Sequence, residues 1–590
     1  MKRIILSLAA ALATTATATP AFSQNGAQNG TVQTAADYFR ARAANPNIPQ
    51  VLNDADRALY VQVFQALDAG NWSEVESLLA QRPDEPLKLV AQAEYYLDAN
   101  SPRIELPQLQ QWLAKGSTLP QAEQISNLAM KRGLMSAPYL PREQSFLPQG
   151  YASKRILPRG IDDGTMPRDI SSAILERIKN DDPDGARILL DGVDAGLSSE
   201  ARAEWRQRVA WSYYIENQDA AALAMAQTVR DGSGAWVAEG EWVIGLAAWR
   251  MGDCTTAAEG FERAGASAIN PELSAASYYW ASRAYIRCRE PEKATEKLRG
   301  AAMMDETLYG MLAREQLGQL LPRAGQTPDL SPEDWRRLNG EENVRAAVAL
   351  AQIGQDDLAD EVLRHQARIG DPSQFTALSR LARELGLPST QLWMAHNAPR
   401  GGTPDPALRF PVARWEPVNG WQVDPALAYA HALQESNFRA AVVSPAGARG
   451  LMQIMPAAAK DHARTLGVGS NPRSLNQPEV NLAFGQRHLQ MLRDHSYTQG
   501  KLPKIMAAYN AGLTPIGRWN SEVRDQDDPL LYMESIPYWE TRGYVAIVTR
   551  NYWMYERQAA APSPTRQALA MNRWPGFPEA SQVDTRLTSR

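Results

Sequence analysis

The sequence predicts an all-α protein, an N-terminal solenoid of helix hairpins followed by a second, more compact helical unit. Three observations carry this. From about residue 50 to 390 one design recurs: an apolar, aromatic-rich helix, a short turn with Gly, Asn or Asp, and a second helix opened by a small residue. The composition then shifts at 396–423, where Gly401-Gly402, Pro404, Pro406, Pro411 and Pro417 break any period. A new helix opens directly afterwards at Asp424-Pro425, an N-cap followed by proline in the first turn.

Bulk properties agree with this reading. A chain of 590 residues exceeds the size at which one hydrophobic core keeps growing, so two or more packing units are expected. Its hydrophobic fraction of 44% and charged fraction of 22% fit an ordered, soluble chain. A net charge of −5 and a pI near 5.9 argue against a general nucleic-acid binder.

The first residues read as an export leader. Lys2 and Arg3 precede the apolar stretch Ile4 to Ala13, and Ala21-Phe22-Ser23 fits a small-x-small cleavage site with Gln24 next. The alternative is an apolar first helix of the folded domain. The run is too short to span a bilayer core of about 30 Å. Cleavage after residue 23 would leave 59 bases against 66 acids, a charge of −7. No cysteine lies near the cleavage point, so a lipid anchor is not expected.

The hairpins follow in order. Tyr60 to Phe64 leads through Gly70-Asn71-Trp72 to Val75 and Leu79; Trp211 to Ile215 leads through Asn217-Gln218-Asp219 to Ala222. Trp242 to Trp249 leads through Gly252-Asp253 to Phe261, and Tyr278 to Tyr285 through Glu290-Pro291 to Leu298. Ala346 to Ile353 leads through Gly354-Gln355-Asp356 to Val362. Apolar residues at three- and four-residue spacing make these amphipathic helices. Pairs repeating every ~30–40 residues make a solenoid, similar in pattern to tetratricopeptide arrays without their strict consensus. Such an array offers either a concave binding surface or a scaffold that positions another domain. A proline- and glycine-rich stretch at 136–168 crosses between two helical blocks. The only cysteines, Cys254 and Cys288, can pair across one hairpin repeat, which would stabilise the chain by roughly 3–4 kcal/mol, or remain as two buried thiols. Residues 561–590, with Pro562, Pro564, Pro575 and Pro578, read as a mobile or surface-wrapping tail.

The helix from Pro425 to Asn437 carries the first candidate for chemistry. Ala428, Ala432 and Glu435 continue one stripe, so a carboxylate lies on the buried face in the last turn. Burial and the negative helix end both disfavour its ionised form, as a general acid at neutral pH requires. A solvated helix-end glutamate is the alternative, and it would be only about 0.2% protonated at pH 7. Elsewhere no metal-binding pattern stands out. His488 and His495 would share a helical face, where a packing or surface role outweighs a zinc site. No phosphate loop or Ser–His–Asp set is identifiable, so no metal and no cofactor is expected.

Three strings then occur in order over about 120 residues. The first is His431-Ala432-Leu433-Gln434-Glu435-Ser436-Asn437-Phe438, continued by Ser444 to Pro456 (SPAGARGLMQIMP). The second is Ala507-Ala508-Tyr509-Asn510-Ala511-Gly512, and the third runs from Glu534 to Val545 (ESIPYWETRGYV). Together they resemble the motifs of the soluble lytic transglycosylase family, and Tyr309-Gly310-Met311-Leu312-Ala313 is similar to the region joining that family's helical domain to its catalytic unit.

This resemblance implies a superhelix that closes into a ring and a lysozyme-like catalytic domain. The division that follows is a signal peptide at 1–23, a superhelix at 24–300, a linker domain at 301–405, a catalytic domain at 406–560 and the tail at 561–590. It also implies a periplasmic enzyme acting on peptidoglycan strands, not membrane-anchored after leader removal, to which other cell-wall enzymes could dock. Glu435 would serve first as acid and then as base, with formation of 1,6-anhydro ends. By the same resemblance Gln453 and Tyr509 bond the sugars, with Tyr509 also near Glu435. Ser444 bonds the sugar or Glu435, Met455 forms an apolar wall, Asn510 holds backbone or substrate, and Glu540 takes a peptide stem or a cation. Leu433 and Ala432 stand where many relatives carry a basic residue nearby, and Ala458 where threonine is common. Two other readings stay open: a goose-type, lysozyme-like muramidase with Asp461 or Glu479 as second acid, and a helical scaffold with an inactive catalytic unit.

Overall fold

A computed structural model describes residues 34–44, 48–81, 87–150, 153–319, 321 and 329–579. The leader reading at 1–23 and the end of the tail lie outside these residues. Among them are 29 α-helices and one two-stranded sheet. Helix α1 is Ala35–Ala44. Helices α2–α6 follow between Asp54 and Lys131, including α4 (Lys88–Leu97) and α5 (Leu106–Gly116). Strand β1 (Phe146–Pro148) lies in the proline-rich crossing. Helices α7–α15 then run from Arg168 to Gln316, and α16–α20 from Pro332 to His396, with α17 at Glu342–Gln352. Strand β2 (Asn397–Pro399) pairs antiparallel with β1. Helices α21–α29 lie between Pro425 and Ala570.

Local chemistry sets the hairpins. Helix α11 (Trp236–Met251) ends at Gly252, whose φ of 82° is the left-handed conformation that a residue without Cβ adopts at least cost. The next residue, Asp253, accepts the Thr256 N–H and caps α12 (Cys254–Ser267). Cys254, at the start of α12, is bonded to Cys288, the C-cap of α13 (Pro271–Arg287), with 5.5 Å between Cα atoms.

The helices form two cores, and the chain visits them alternately. One joins α2–α6 to α16–α20, with Tyr60, Trp112, Leu363 and Phe375 inside it. The other joins α1, α7–α15 and α21–α29, with Trp280, Tyr429 and Trp553 inside it. The expected boundary at 300/301 is therefore not a boundary between cores: residues 330–398 share theirs with the first hairpins. Polar ties seal the junction. The Gln352 side-chain oxygen Oε1 accepts the Val51 and Leu52 N–H groups, and the Asn343 side-chain amide donates to Thr118 O. Residues 330–398 thus return to pack on the first hairpins.

Helices α21–α29 rest on the solenoid through buried polar groups. Helix α28 (Trp539–Gln558) is central: Arg550 bonds Glu272 of α13 at 3.1 Å, and Arg542 lies over the Trp211 ring at 4.1 Å. Burial pulls the Arg542 guanidinium down to about 10. Tyr309 of α15 (Leu308–Gln316) donates to Glu534 at 2.7 Å. Residues 561–579 also dock: α29 (Pro564–Ala570) packs on α15, while Leu502 N–H donates to Pro575 O and Phe577 N–H to Gly500 O.

Candidate active site

Glu435 is placed by the two ends of its helix, α21 (Pro425–Ser436). At the start, Asp424 accepts the Ala426 N–H at 2.9 Å and the Tyr552 hydroxyl at 3.1 Å, which fixes both the helix entry and its distance from α28. At the end, Asn437 caps in the left-handed region at φ 51°, and Phe438 follows at 60° and turns inward. Between them the helix is buried along Ala426 to Ala432, so only its last turn reaches the surface. Glu435 is half-buried there.

Its carboxylate accepts the Tyr544 hydroxyl at 2.6 Å. Burial pushes the carboxyl up from 4.5 to about 7; the Tyr544 hydrogen bond pulls it down and the charge of Glu540 pushes it up. Glu540 is exposed in the first turn of α28. Behind Glu435 the wall is aromatic and uncharged. His431 packs against Tyr509 with ring centroids 4.9 Å apart, and Tyr509 stacks on Tyr544 at 6.4 Å. His431 is fully buried with Nδ1 2.9 Å from Leu427 O, and burial holds it down at about 4. His488 sits against Tyr509 at 5.4 Å and is also held at about 4 by burial. Its imidazole partner is His462, 3.3 Å away between ring nitrogens. Both imidazoles are thus neutral at pH 7 and place no positive charge beside this wall.

The loop from Val442 to Ile454 joins the same wall through Met452 O, which accepts the Tyr509 hydroxyl. Arg449 bridges to both Val443 and Ile454, and Gly450 donates to Val442 O. Gly450 sits at φ 78°, where a Cβ would strike the Asn481 amide and Leu475 O, so no side chain fits. Asn481, fully buried on α24 (Pro478–Asp494), ties the loop down. It accepts Met452 N–H at 2.8 Å and donates to Arg449 O at 2.9 Å and Leu475 O at 2.8 Å.

The structure brings most of the expected residues to one place but gives several of them work inside the protein. Ser444 Oγ accepts the Ala448 N–H at 3.0 Å and closes the loop; it makes no bond to Glu435. The Gln453 amide donates to Gly450 O at 3.0 Å, and its backbone takes φ 46°. Met455 caps α22 (Pro456–Leu466) and is 44% exposed, an apolar surface at the rim. Tyr509, on α25 (Leu502–Ala511), donates to Met452 O at 2.7 Å. The hydroxyl on Glu435 is thus that of Tyr544, not Tyr509. Asn510 accepts the Thr541 hydroxyl at 2.6 Å and couples the second motif to the third. Two residues carry roles that sequence reasoning missed. Tyr544 lies inside the third motif but was given no role of its own, and Asn481 was not singled out. Among the described residues no group of three or more His, Cys, Asp or Glu could hold a metal ion. Likewise no described helix is long and apolar enough to cross a membrane.

Residues 416–531 match the family described as the transglycosylase SLT domain. A stretch of 167 residues, 27% of this chain, is 36% identical to a soluble lytic murein transglycosylase of Escherichia coli K12 and spans 25% of that relative's length. A shorter stretch of 107 residues, 16% of this chain, is 36% identical to an endo-type membrane-bound lytic murein transglycosylase A of Klebsiella pneumoniae, 53% of whose length it covers. The fold as a whole is similar to the crystal structure of the 70 kDa soluble lytic transglycosylase of Escherichia coli. That match has a TM-score of 0.59 and 20% identity, and covers 89% of this chain and 99% of the other. A lytic transglycosylase of Pseudomonas aeruginosa matches at 0.50 and 21%, over 86% of this chain and 73% of the other.

Proposed function

We propose, from the match of residues 416–531 to the transglycosylase SLT domain, that this chain cleaves the MurNAc-(1,4)-GlcNAc bond of peptidoglycan and leaves 1,6-anhydro-MurNAc ends. The observation that carries this reading is the state of Glu435: one half-buried carboxyl titrating at about 7 and held by a tyrosine hydroxyl. Near neutrality both of its forms are well populated, which a group that must give a proton and then take one requires.

In the first step the Glu435 carboxyl donates its proton to the glycosidic oxygen as the C1–O bond breaks, and GlcNAc leaves with a 4-hydroxyl. Positive charge develops at the muramic C1, and the substrate's own N-acetyl oxygen relieves it. In the second step the Glu435 carboxylate takes the proton from the muramic 6-hydroxyl, whose oxygen bonds C1. No water is consumed. Tyr544 stays protonated throughout, since burial and the neighbouring carboxylate hold its hydroxyl well above the ordinary tyrosine range. It therefore stabilises the carboxylate formed between the two steps. Met455 supplies an apolar contact, Ser444 and Gln453 shape the loop that faces the sugars, and Glu540 meets the peptide stem. The enzyme acts in the periplasm after loss of residues 1–23.

The test is mass spectrometry of muropeptides released from purified peptidoglycan, with Glu435→Gln as control. Products one water lighter than hydrolysed ends, absent with the variant, are the expected result. Reducing ends would overturn it in favour of hydrolysis, with Glu540 as the acid to examine. Release by neither protein would point to a scaffold.

A further inference from the structure

The second and third motifs meet at one short hydrogen bond between helices. Asn510 stands in the last turn of α25, beside Tyr509, and Thr541 in the first turn of α28, beside Glu540. The Thr541 hydroxyl donates to Asn510 Oδ1 at 2.6 Å. Thr541 is 2% exposed, while Asn510 is half-buried. Both neighbours belong to the site already described. Tyr509 stacks on Tyr544, whose hydroxyl is on Glu435, and the Glu540 charge acts on that same carboxyl.

Burial explains why the Thr541 hydroxyl needs a partner, but not why the partner is Asn510. A threonine in a helix can satisfy its hydroxyl on a carbonyl of its own preceding turn. That of Thr541 crosses instead to a side chain on another helix. The consequence is a fixed polarity. A carboxamide has an acceptor end and a donor end of nearly the same shape, so an untied asparagine can present either. With Oδ1 held by the hydroxyl, Asn510 turns its Nδ2 end the other way. Among the described residues nothing bonds Nδ2, and it is not enclosed in the interior. The amide therefore offers N–H donors to whatever lies against the site, and a carbonyl oxygen is the acceptor that suits them.

We propose that Thr541 is a positioning residue that acts through Asn510: its hydroxyl fixes the amide so that Nδ2 donates to a carbonyl oxygen of the bound strand. The proposal rests on the reading of Glu435 as acting on peptidoglycan, and it names one point at which that polymer is held. Peptidoglycan carries such oxygens in the acetamido groups of its sugars and in the amides of its stem peptides. An amide free to rotate would meet the same oxygen with its own oxygen in part of the molecules. Binding would then weaken without any change at Glu435.

The test is steady-state cleavage of soluble glycan strands that carry stem peptides, and of the same strands freed of them by an amidase. Thr541→Val removes the hydroxyl at nearly constant shape. It should raise KM about fivefold, the contribution of one hydrogen bond, with kcat close to that of the parent. Thr541→Ser keeps the hydroxyl and should recover most of that loss. In an Asn510→Ala background, Thr541→Val should have no further effect on KM, because the two residues act as one unit. A rise in KM on both substrates assigns the oxygen to an acetamido group, and a rise confined to strands with stems assigns it to a peptide amide. An unmoved KM would overturn the proposal, as would a rise in KM that persists with Asn510→Ala. If kcat and melting temperature fell while KM held, Thr541 would be a structural residue only and the proposal would again be lost. Failure of the catalytic reading shows elsewhere, as absence of anhydro ends from the parent enzyme.

Discussion

The Tyr544 hydroxyl holds the Glu435 carboxylate from one side, and this bond can be removed while the acid stays. A hydrogen bond to a charged group contributes about 1.5–3 kcal/mol, and it favours the ionised form. Tyr544→Phe should therefore raise the Glu435 pKa from about 7 by roughly one to two units. The alkaline limb of kcat/KM moves up with it, while kcat falls because the carboxylate left after the first step loses its donor. A pH profile with an unmoved alkaline limb would sink this assignment. The same residue has a consequence for stability. Its carboxyl is raised in the native state, so the native state binds the proton more tightly than the unfolded chain does. That contribution is complete below the ordinary value of 4.5 and is lost as pH rises through 7. Glu435→Gln cannot ionise. Relative to the parent it should gain on the order of 2 kcal/mol between pH 5 and pH 9, read as a difference in urea midpoints at the two pH values. A constant difference across that range would mean that the carboxyl is not desolvated.

At the scale of elements, the active site is four helices and a loop, and Asn481 is the tie among them. Its amide completes three backbone bonds to the rim loop and its flank from α24. Asn481→Ala leaves Met452 N–H and the carbonyls of Arg449 and Leu475 without those partners in a buried place, at a cost of about 3 kcal/mol. Because Met452 O of that loop accepts the hydroxyl of Tyr509, which stacks on Tyr544, kcat should fall as well; thermal melting and turnover measured together check this, and a variant as stable as the parent would refute the tie. The contrast with α21 explains what was legible beforehand. The start of α21 was readable because Asp424-Pro425 acts within one turn, and so was the stop of α11 at Gly252-Asp253. The stripe Ala428, Ala432, Glu435 likewise gave the acid its place. Asn481 acts across some thirty residues, with no local pattern to announce it. Tyr544 at helical spacing among Val545 and Val548 looks like core, and most of its ring is core. Only its hydroxyl has another task.

At the scale of the molecule, α28 separates the chemistry from the solenoid and touches both. One face carries Tyr544 and Thr541 toward Glu435 and Asn510, while the other buries Arg542 and Arg550 against the solenoid. The periodicity that revealed each hairpin held no information on this docking, nor on the return of residues 330–398 to the first hairpins, because such pairings are long-range and leave no repeat. Arg550 is 3% exposed, and besides Glu272 it donates to Asn551 and to Ser153 O, while Glu272 also accepts from Ser153 and Leu308. Removing one member of a buried pair strands the other, at about 3–5 kcal/mol; replacing both by apolar groups of similar volume restores most of that. Glu272→Leu should thus lower the urea midpoint strongly, and Glu272→Leu with Arg550→Met should recover most of the loss. The decisive readout is turnover. If the solenoid sets where α28 lies, kcat under conditions where the single variant is fully folded should fall with Glu272→Leu and return in the double variant, because Tyr544 moves with its helix. Stability that falls while kcat holds would show that α28 is placed by the catalytic unit alone, leaving the solenoid free to serve the strand rather than the acid.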